Sequence, residues 1–424
     1  MLFIKSIYCL RLAPLCMLLL SGSVFADVPG KYIVVFKDVV AHPEAIARQI
    51  SQQHGLALGH IYQSAIKGFA AGIPEGKLVD VKGDPDVQYI VPDQIVSIPR
   101  DFGPGKVSGK GKTPSPQPAQ ALPTGVNRVN ADLSNIALIN GADERIGVDV
   151  AIIDTGIDKN HPDLNVVGGV NFASGRPNSF KDGHGHGTHV SGTVGALDNG
   201  IGVVGVAPGV NLWAVRVLDN NGSGFLSDVI AGIDWVAARS ETIEVANMSL
   251  GWQESDTQNS PGHDAIRNAV SKGVVFTVAA GNSAQDVSNG FAPAGYSEVI
   301  TVSAVADSDG QEGGLGPDTG YGDDDTFASF SNFGALVDIA APGVDILSTF
   351  PGGTYGAISG TSMAAPHVAG VAALFIAVNG KPMNDLDAAF VRDQLVFLGM
   401  PQGSSGGFGG DPDAFAEPLV NAQF

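Results

Sequence analysis

Cysteine is nearly missing from this chain of 424 residues: the only two, Cys9 and Cys16, fall within the first twenty positions. No disulfide framework or thiolate metal centre can therefore be built in the rest of the sequence. Charge is sparse, at 16% of residues, yet 44% are hydrophobic, which is not the composition of a disordered chain. Basic residues are scarcer than acidic ones, 23 against 43, for a net charge of −20. Such a chain does not hold phosphate backbones by bulk charge, so no nucleic-acid partner is expected. Long apolar runs are also lacking. The run Leu15–Leu20 is too short to span a bilayer, and no later stretch is expected to reach that length.

What the chain does have is glycine and proline, 57 and 25 residues, and hence many tight loops. Lys5 and Arg11, the apolar run and Val24-Phe25-Ala26 read as a secretory signal peptide over 1–26, cut after Ala26. The mature protein is then expected to be secreted, without a membrane partner and without cysteine. Residues 1–118 hold 12 basic and 9 acidic residues, so the acidity belongs to residues 119–424. Within 27–100, strands are expected at 31–36, 66–73, 87–91 and 95–98 and helices at 43–53 and 74–82, a small α+β sandwich. Residues 101–118, rich in Gly, Pro, Ser and Lys, read as an easily nicked linker.

From 119 to 424 the texture changes. Apolar strands at 148–153, 212–217, 245–250, 274–279 and 299–305 alternate with helical stretches at 188–197, 226–239, 261–272 and 362–378. Strands apolar on both faces, interleaved with helices, indicate an α/β domain with a mostly parallel central sheet flanked by helices. Functional loops then belong at the carboxyl ends of the strands.

Four strings there carry chemistry. In AIIDTGIDKNHPDL an apolar strand ends in Asp154, where a carboxylate can orient a histidine. In DGHGHGTHVSGTVGAL a Gly-rich loop runs into a helix near His186. A neutral imidazole beside a carboxylate is a general-base arrangement, and the competing reading of its three histidines as a zinc site lacks thiolate partners. In ISGTSMAAPHVAG, Ser362 sits at a helix start, where the field favours developing negative charge, and Pro366 is expected within the first turn. In VAAGNS, Asn282 follows a buried strand and can donate to an oxyanion. Each string alone has an ordinary reading as a turn or cap; together they supply orienter, base, oxyanion donor and nucleophile.

The order Asp154, His186, Asn282, Ser362 and the strings DTGID, HGTH, AAGN and GTSMAAPHVAG resemble the subtilase family of serine endopeptidases. The resemblance implies a subtilisin-like fold over 119–424, with Asp154, His186 and Ser362 as triad, Asn282 as oxyanion donor and His189 as a structural residue; His184 receives no role. It also implies that extended protein and peptide substrates pair with Gly222-Ser223-Gly224 and with Ser249-Leu250-Gly251, and that Ala279, Ala280 and Gly281 wall the primary side-chain pocket. Residues 27–98, with KYIVVF, GFAAGI and DPDVQYIVPD, resemble the family's inhibitor-type propeptide, which implies a ferredoxin-like partner acting as chaperone and inhibitor.

The resemblance further implies a structural Ca²⁺ held by the carbonyl oxygens of Leu197, Ile201 and Val203 and by the side chains of Asn199, Asp163 and Gln120, a hard-oxygen set. Asp307, Asp309 and Asp323–Asp325 bracket a Gly-rich stretch that reads either as a solvated loop or as a second cation site. The expectation is a monomeric, self-processing zymogen of broad specificity whose mature N-terminus lies between Asp101 and Gln120, near Ala119. An esterase, a catalytically silent binding protein on the same scaffold, and a stand-alone inhibitor at 27–98 remain alternatives on the sequence alone.

Overall fold

Strands that are apolar on both faces must be covered on both sides, and the chain arranges this around one eight-stranded sheet. The structure, a computed structural model, describes residues 27–99, 116–173, 175–254 and 259–424. The signal peptide and most of the linker expected from sequence lie outside the described residues. The central sheet runs Thr326–Phe327, Ile300–Ala306, Val275–Ala279, Val245–Met248, Asp149–Asp154, Asn211–Arg216 and Val166–Asn171, with Ile339–Pro342 also paired to Ile300–Ala306. Every pairing is parallel except that of Thr326–Phe327. Helices His186–Gly195 and Thr361–Asn379 pack against each other, as do Leu226–Ala237 and Pro261–Val270. Asp149–Asp154, Val245–Met248 and Val275–Ala279 are neighbours, so their carboxyl ends open onto one place.

One expectation needs correction. Helix Thr361–Asn379 is long and apolar enough to cross a membrane, but 89% of its apolar window is buried inside the protein. It is apolar all round because it packs on Val245–Met248, Val275–Ala279, Ile300–Ala306 and Ile339–Pro342.

The N-terminal domain is a four-stranded antiparallel sheet in the order Ala57–Tyr62, Gly68–Gly72, Asp27–Phe36, Val87–Ser97, with helices Pro43–His54 and Glu75–Lys82. Two details differ from the sequence reading. Ala57–Tyr62 is a strand that Gly59 and His60 hide by interrupting the apolar alternation, and its residues are mostly not buried. Val87–Ser97 is one strand rather than two, carried through Pro92, which sits opposite Tyr32 beside a register shift. The sheet does not end at Val87–Ser97: it continues into Ser223–Phe225 of the larger domain.

The larger domain also buries acid groups. Glu417 is 3% exposed and accepts from Ser303 Oγ at 2.8 Å. Burial, with Asp411 and Asp413 adding to it, raises its pKa from 4.5 to about 8. The neutral form is thus the one the fold accommodates: its contribution is full below pH 4.5 and is lost as pH rises through about 8. Glu417→Gln, which keeps an acceptor for Ser303, is therefore expected to raise the Tm at pH 9 and to leave it nearly unchanged at pH 5. A Tm difference that is the same at both pH values would refute this.

Candidate active site

Asp154 is the last residue of its strand and is fully buried. Its carboxylate accepts from Thr155 N at 2.6 Å and meets His186 Nδ1 with both oxygens at 2.8 Å. His186 opens helix His186–Gly195 and is 2% exposed. The residue before the helix is Gly185, at φ 112, which offers no side-chain cap. The first-turn N–H groups find other partners: Gly187 N donates to Thr155 Oγ1 at 3.0 Å and Thr188 N to Asp182 Oδ2 at 2.9 Å. Asp182 also accepts from His184 N, Gly185 N, Thr155 Oγ1 and Thr188 Oγ1. It ties strand end, loop and helix start together, a role its place at the head of DGHGHGTH did not disclose. His189 is fully buried beside the carbonyls of Ile346 and Gly356, and burial lowers its pKa to about 3, so it is a neutral structural residue. The His184 ring stands edge-on to His186 at 6.3 Å.

Ser362 is the second residue of helix Thr361–Asn379 and is fully buried. Pro366 lies in the second turn, not the first as the sequence suggested, so it removes the ladder donor to the Ser362 carbonyl. The hydroxyl of Ser249 replaces it, donating to Ser362 O at 2.8 Å. Ser249 thereby links the end of strand Val245–Met248 to the serine. Asn282 follows strand Val275–Ala279, and its Oδ1 accepts from Thr361 N at 2.9 Å and Thr361 Oγ1 at 2.7 Å. A backbone N–H can only donate, which fixes Oδ1 as the bound end and Nδ2 as the donor end of the amide.

A strand already fills the groove beside these residues. Val96 pairs with Gly224 and Ser97 with Ser223, antiparallel. Ile98 N donates to Gly222 O at 3.0 Å. On the other side Ser97 exchanges two bonds with Gly251, at 3.1 and 3.3 Å. Trp252, next in sequence, is 1% exposed and turns into the core against Gly262 and Tyr296. The N-terminal domain is held to the same region by further bonds. Asp93 accepts from Ser227 N at 3.0 Å and Ser227 Oγ at 2.6 Å, capping helix Leu226–Ala237, whose own preceding residue provides no cap. Asp234 accepts from the N–H groups of Gln63, Ser64 and Ala65, and Tyr89 Oη donates to Asp264 at 2.6 Å.

The loop after helix His186–Gly195 gathers the residues expected to hold calcium. Asp163 is fully buried and accepts from Asn199 Nδ2 at 3.1 Å and Val203 N at 3.0 Å. Burial pushes its pKa to about 7, so its charged form gains from a nearby cation. Ala119 and Ala121 bridge to Ile201 and Val203, which brings Gln120 alongside. Gln120 departs from expectation in one respect: its Oε1 accepts from Asn199 N and Gly200 N at 2.9 and 2.8 Å. It stitches the 116–123 segment to the loop and joins an ion's shell only by exchanging those bonds. In the 307–325 stretch, carboxylate oxygens of Asp307, Asp309 and Asp324 lie within 4.8 Å of one another and could hold a metal ion. Most of 311–323 is exposed to solvent, as is Asp309, but the ends of the stretch are anchored inside: Asp307, Asp324 and Asp325 are buried, and Asp325 pairs with buried Arg128 at 2.6 Å.

Comparison with known proteins agrees with this geometry. Residues 145–396 match the subtilase family and residues 31–99 the peptidase inhibitor I9 family. The chain is 38% identical to subtilisin NAT of Bacillus subtilis subsp. natto over 397 residues, 93% of this chain and 89% of that protein. It is 43% identical to a subtilisin of Bacillus pumilus over 307 residues, 72% of this chain and 98% of that protein. With subtilisin Savinase of Lederbergia lenta it shares 44% identity over 257 residues, 60% of this chain and 84% of that protein.

Proposed function

As the chain belongs to the subtilase family of serine endopeptidases and carries an inhibitory propeptide, we propose that Ser362 is the nucleophile, His186 the base and Asp154 the orienting acid. The observation that carries this is the buried Asp154–His186 pair at 2.8 Å, set at the carboxyl end of its strand, the same end of the sheet at which Ser249 holds Ser362. Ser362 Oγ attacks the scissile carbonyl carbon while its proton passes to His186 Nε2. Asp154 holds Nδ1–H and stabilises the imidazolium. Asn282 Nδ2 and the Ser362 backbone N–H stabilise the oxyanion. His186 returns the proton to the leaving amine, and water then repeats the sequence on the acyl-enzyme.

The substrate is an extended stretch of protein chain that adds a strand between Gly222-Ser223-Gly224 and Ser249-Leu250-Gly251. The 95–98 segment, held by these same edges, supports that reading. Ala279, Ala280 and Gly281 wall the pocket for the side chain before the cut, and specificity is broad. The enzyme is a secreted monomer, and Ca²⁺ is held by Asp163, Asn199 and the carbonyls of Leu197, Ile201 and Val203, with Gln120 as sixth donor. The ion supplies structural rigidity and takes no part in the chemistry.

Ser362→Ala is expected to leave only the residual hydrolysis due to oxyanion binding, and a serine-directed sulfonyl inhibitor to label Ser362 in a peptide map. Full activity in Ser362→Ala would refute the assignment. Asn282→Ala is expected to lower kcat about 10²–10³-fold, the cost of removing such a donor in subtilisin itself.

Chelation is expected to shorten the half-life at raised temperature more than it lowers the initial rate, because an ion bound only by the folded form stabilises it by mass action. Calcium, not zinc, should restore the half-life; unchanged inactivation in excess chelator would remove the ion from the account.

Self-processing is expected to leave a mature N-terminus between Asp101 and Gln120, near Ala119. Because residues 95–98 occupy the groove, the first cut falls at the start of the linker and trimming comes after it. N-terminal sequencing of secreted enzyme checks this. A start beyond Pro123 would remove Gln120 from the protein, and normal processing of Ser362→Ala alone would exclude self-cleavage.

A further inference from the structure

The turn that carries Asn282 is intrinsically unfavourable. Gly281 has φ +104 and Ala284 φ +51, so two residues within four adopt the left-handed region, one of them with a Cβ. Such a turn persists only where its surroundings over-determine it. Backbone groups and Thr361 supply part of this, with Ala284 N donating to Phe330 O at 2.9 Å, Phe333 N to Gln285 O at 3.1 Å and Gly281 N to Thr361 Oγ1 at 3.0 Å, and the side chain that adds most bonds to the turn's backbone is Asn332. Asn332 is fully buried, and its Oδ1 accepts from Ser283 N at 3.0 Å and Gln285 N at 3.1 Å. Its Nδ2 donates to Ala280 O at 2.8 Å, and its backbone N–H donates to Gly281 O, also at 2.8 Å. The amide thus grips the turn on both sides of Asn282. It sits so close that a Cβ on Gly281 would lie 2.5 Å from Asn332 Nδ2.

The pocket wall next to the turn has its own support. Ala279 pairs with Val302 in the sheet, and Ala280 N donates to Val302 O at 3.0 Å. Loss of the Asn332 amide therefore frees 281–285 more than 279–280. Resting on the assignment of Asn282 as oxyanion donor, we propose that Asn332 is a positioning residue, which aims the Asn282 amide by clamping its turn and touches neither substrate nor the reacting atoms.

A donor that must stabilise charge only in the transition state affects kcat when misplaced, and binding of the ground state little. Residues acting through one another are non-additive, which a double-mutant cycle reads directly. The test uses processed enzyme expressed from the full chain, with active sites counted by burst titration so that misfolded molecules drop out. Asn332→Ala is expected to lower kcat about tenfold or more, with KM for a peptide anilide changed by less than about threefold. In the Asn282→Ala background the same substitution is expected to cost less than about threefold, since the donor it aims is gone. Asn332→Asp keeps the acceptor for Ser283 and Gln285 and exchanges the bond to Ala280 O for an oxygen–oxygen contact, relieved where the acid is protonated. It is expected to fall between wild type and Asn332→Ala, and it carries the cycle if Asn332→Ala yields no titratable enzyme. An equal loss in both backgrounds, an effect on KM alone, or an unchanged kcat would overturn the proposal. A kcat for Asn282→Ala within about threefold of wild type would instead overturn the oxyanion assignment on which it rests.

Discussion

The closeness of one helix start to one strand end governs the rest of the site. His186 can reach a carboxylate buried at the end of Asp149–Asp154 only if the following residue has no side chain. A Cβ on Gly187 would lie 2.2 Å from Gly156 O and 3.1 Å from Asp154 Oδ1. Once helix and turn touch, two consequences are fixed. Both Asp154 oxygens face one imidazole nitrogen, which sets the ring and its tautomer. The helix N-terminus is then pressed into protein, so its first N–H groups need protein partners, and Thr155 and Asp182 supply them. The pair and its supporting carboxylate are thus products of a single packing requirement.

The groove shows how inhibition and catalysis can use one surface. A sheet edge binds any extended chain by its backbone, so it does not distinguish substrate from the protein's own segment 95–98. What distinguishes them is the domain behind that segment. Asp93 and Asp234 bind backbone N–H groups across the seam, and Tyr89 meets Asp264. A loose peptide brings none of these contacts. The propeptide domain therefore holds the groove largely through contacts remote from Ser362, and the backbone pairing in the groove itself reads no particular side chain.

Much of this was legible in the sequence, because the residues proposed to make the chemistry occur in strings that also make the turns: a strand ending in Asp154, a Gly loop before His186, small residues around Ser362. The parallel sheet was legible from its unbroken apolar strands. Edge elements were not. Val166–Asn171 contains two adjacent glycines, Ile339–Pro342 ends in proline, and Ala57–Tyr62 is half exposed, so each lacks the pattern of a buried strand. Nor were Asp182, Ser249 and Asn332 as supports, since their roles depend on which backbone groups the fold leaves without partners. Pro366 illustrates this: only with its place in the helix known does the Ser249–Ser362 bond have a reason.

The acidity of the chain takes on a different meaning once the loops are seen. A net charge of −20 suggests a negatively charged surface, yet many carboxylates face inward. Asp182 binds the active-site loop, Asp198 accepts from Asn140 N, Gly141 N and Gln120 Nε2, and Asp324 accepts from Ser308 and Gly316. Asp325 joins Arg128 to the N–H groups of Gly313 and Gly314. These residues are all less than 9% exposed. A chain rich in glycine has many loops whose N–H groups no sheet or helix satisfies, and an ionised carboxylate can bind two or three of them with charge-assisted bonds. Among the described residues, which include no cysteine, such carboxylates act as cross-links between loops distant in sequence. The acidic excess is then, in part, the counterpart of the glycine excess: loops that cannot be stapled by sulfur are stapled by oxygen.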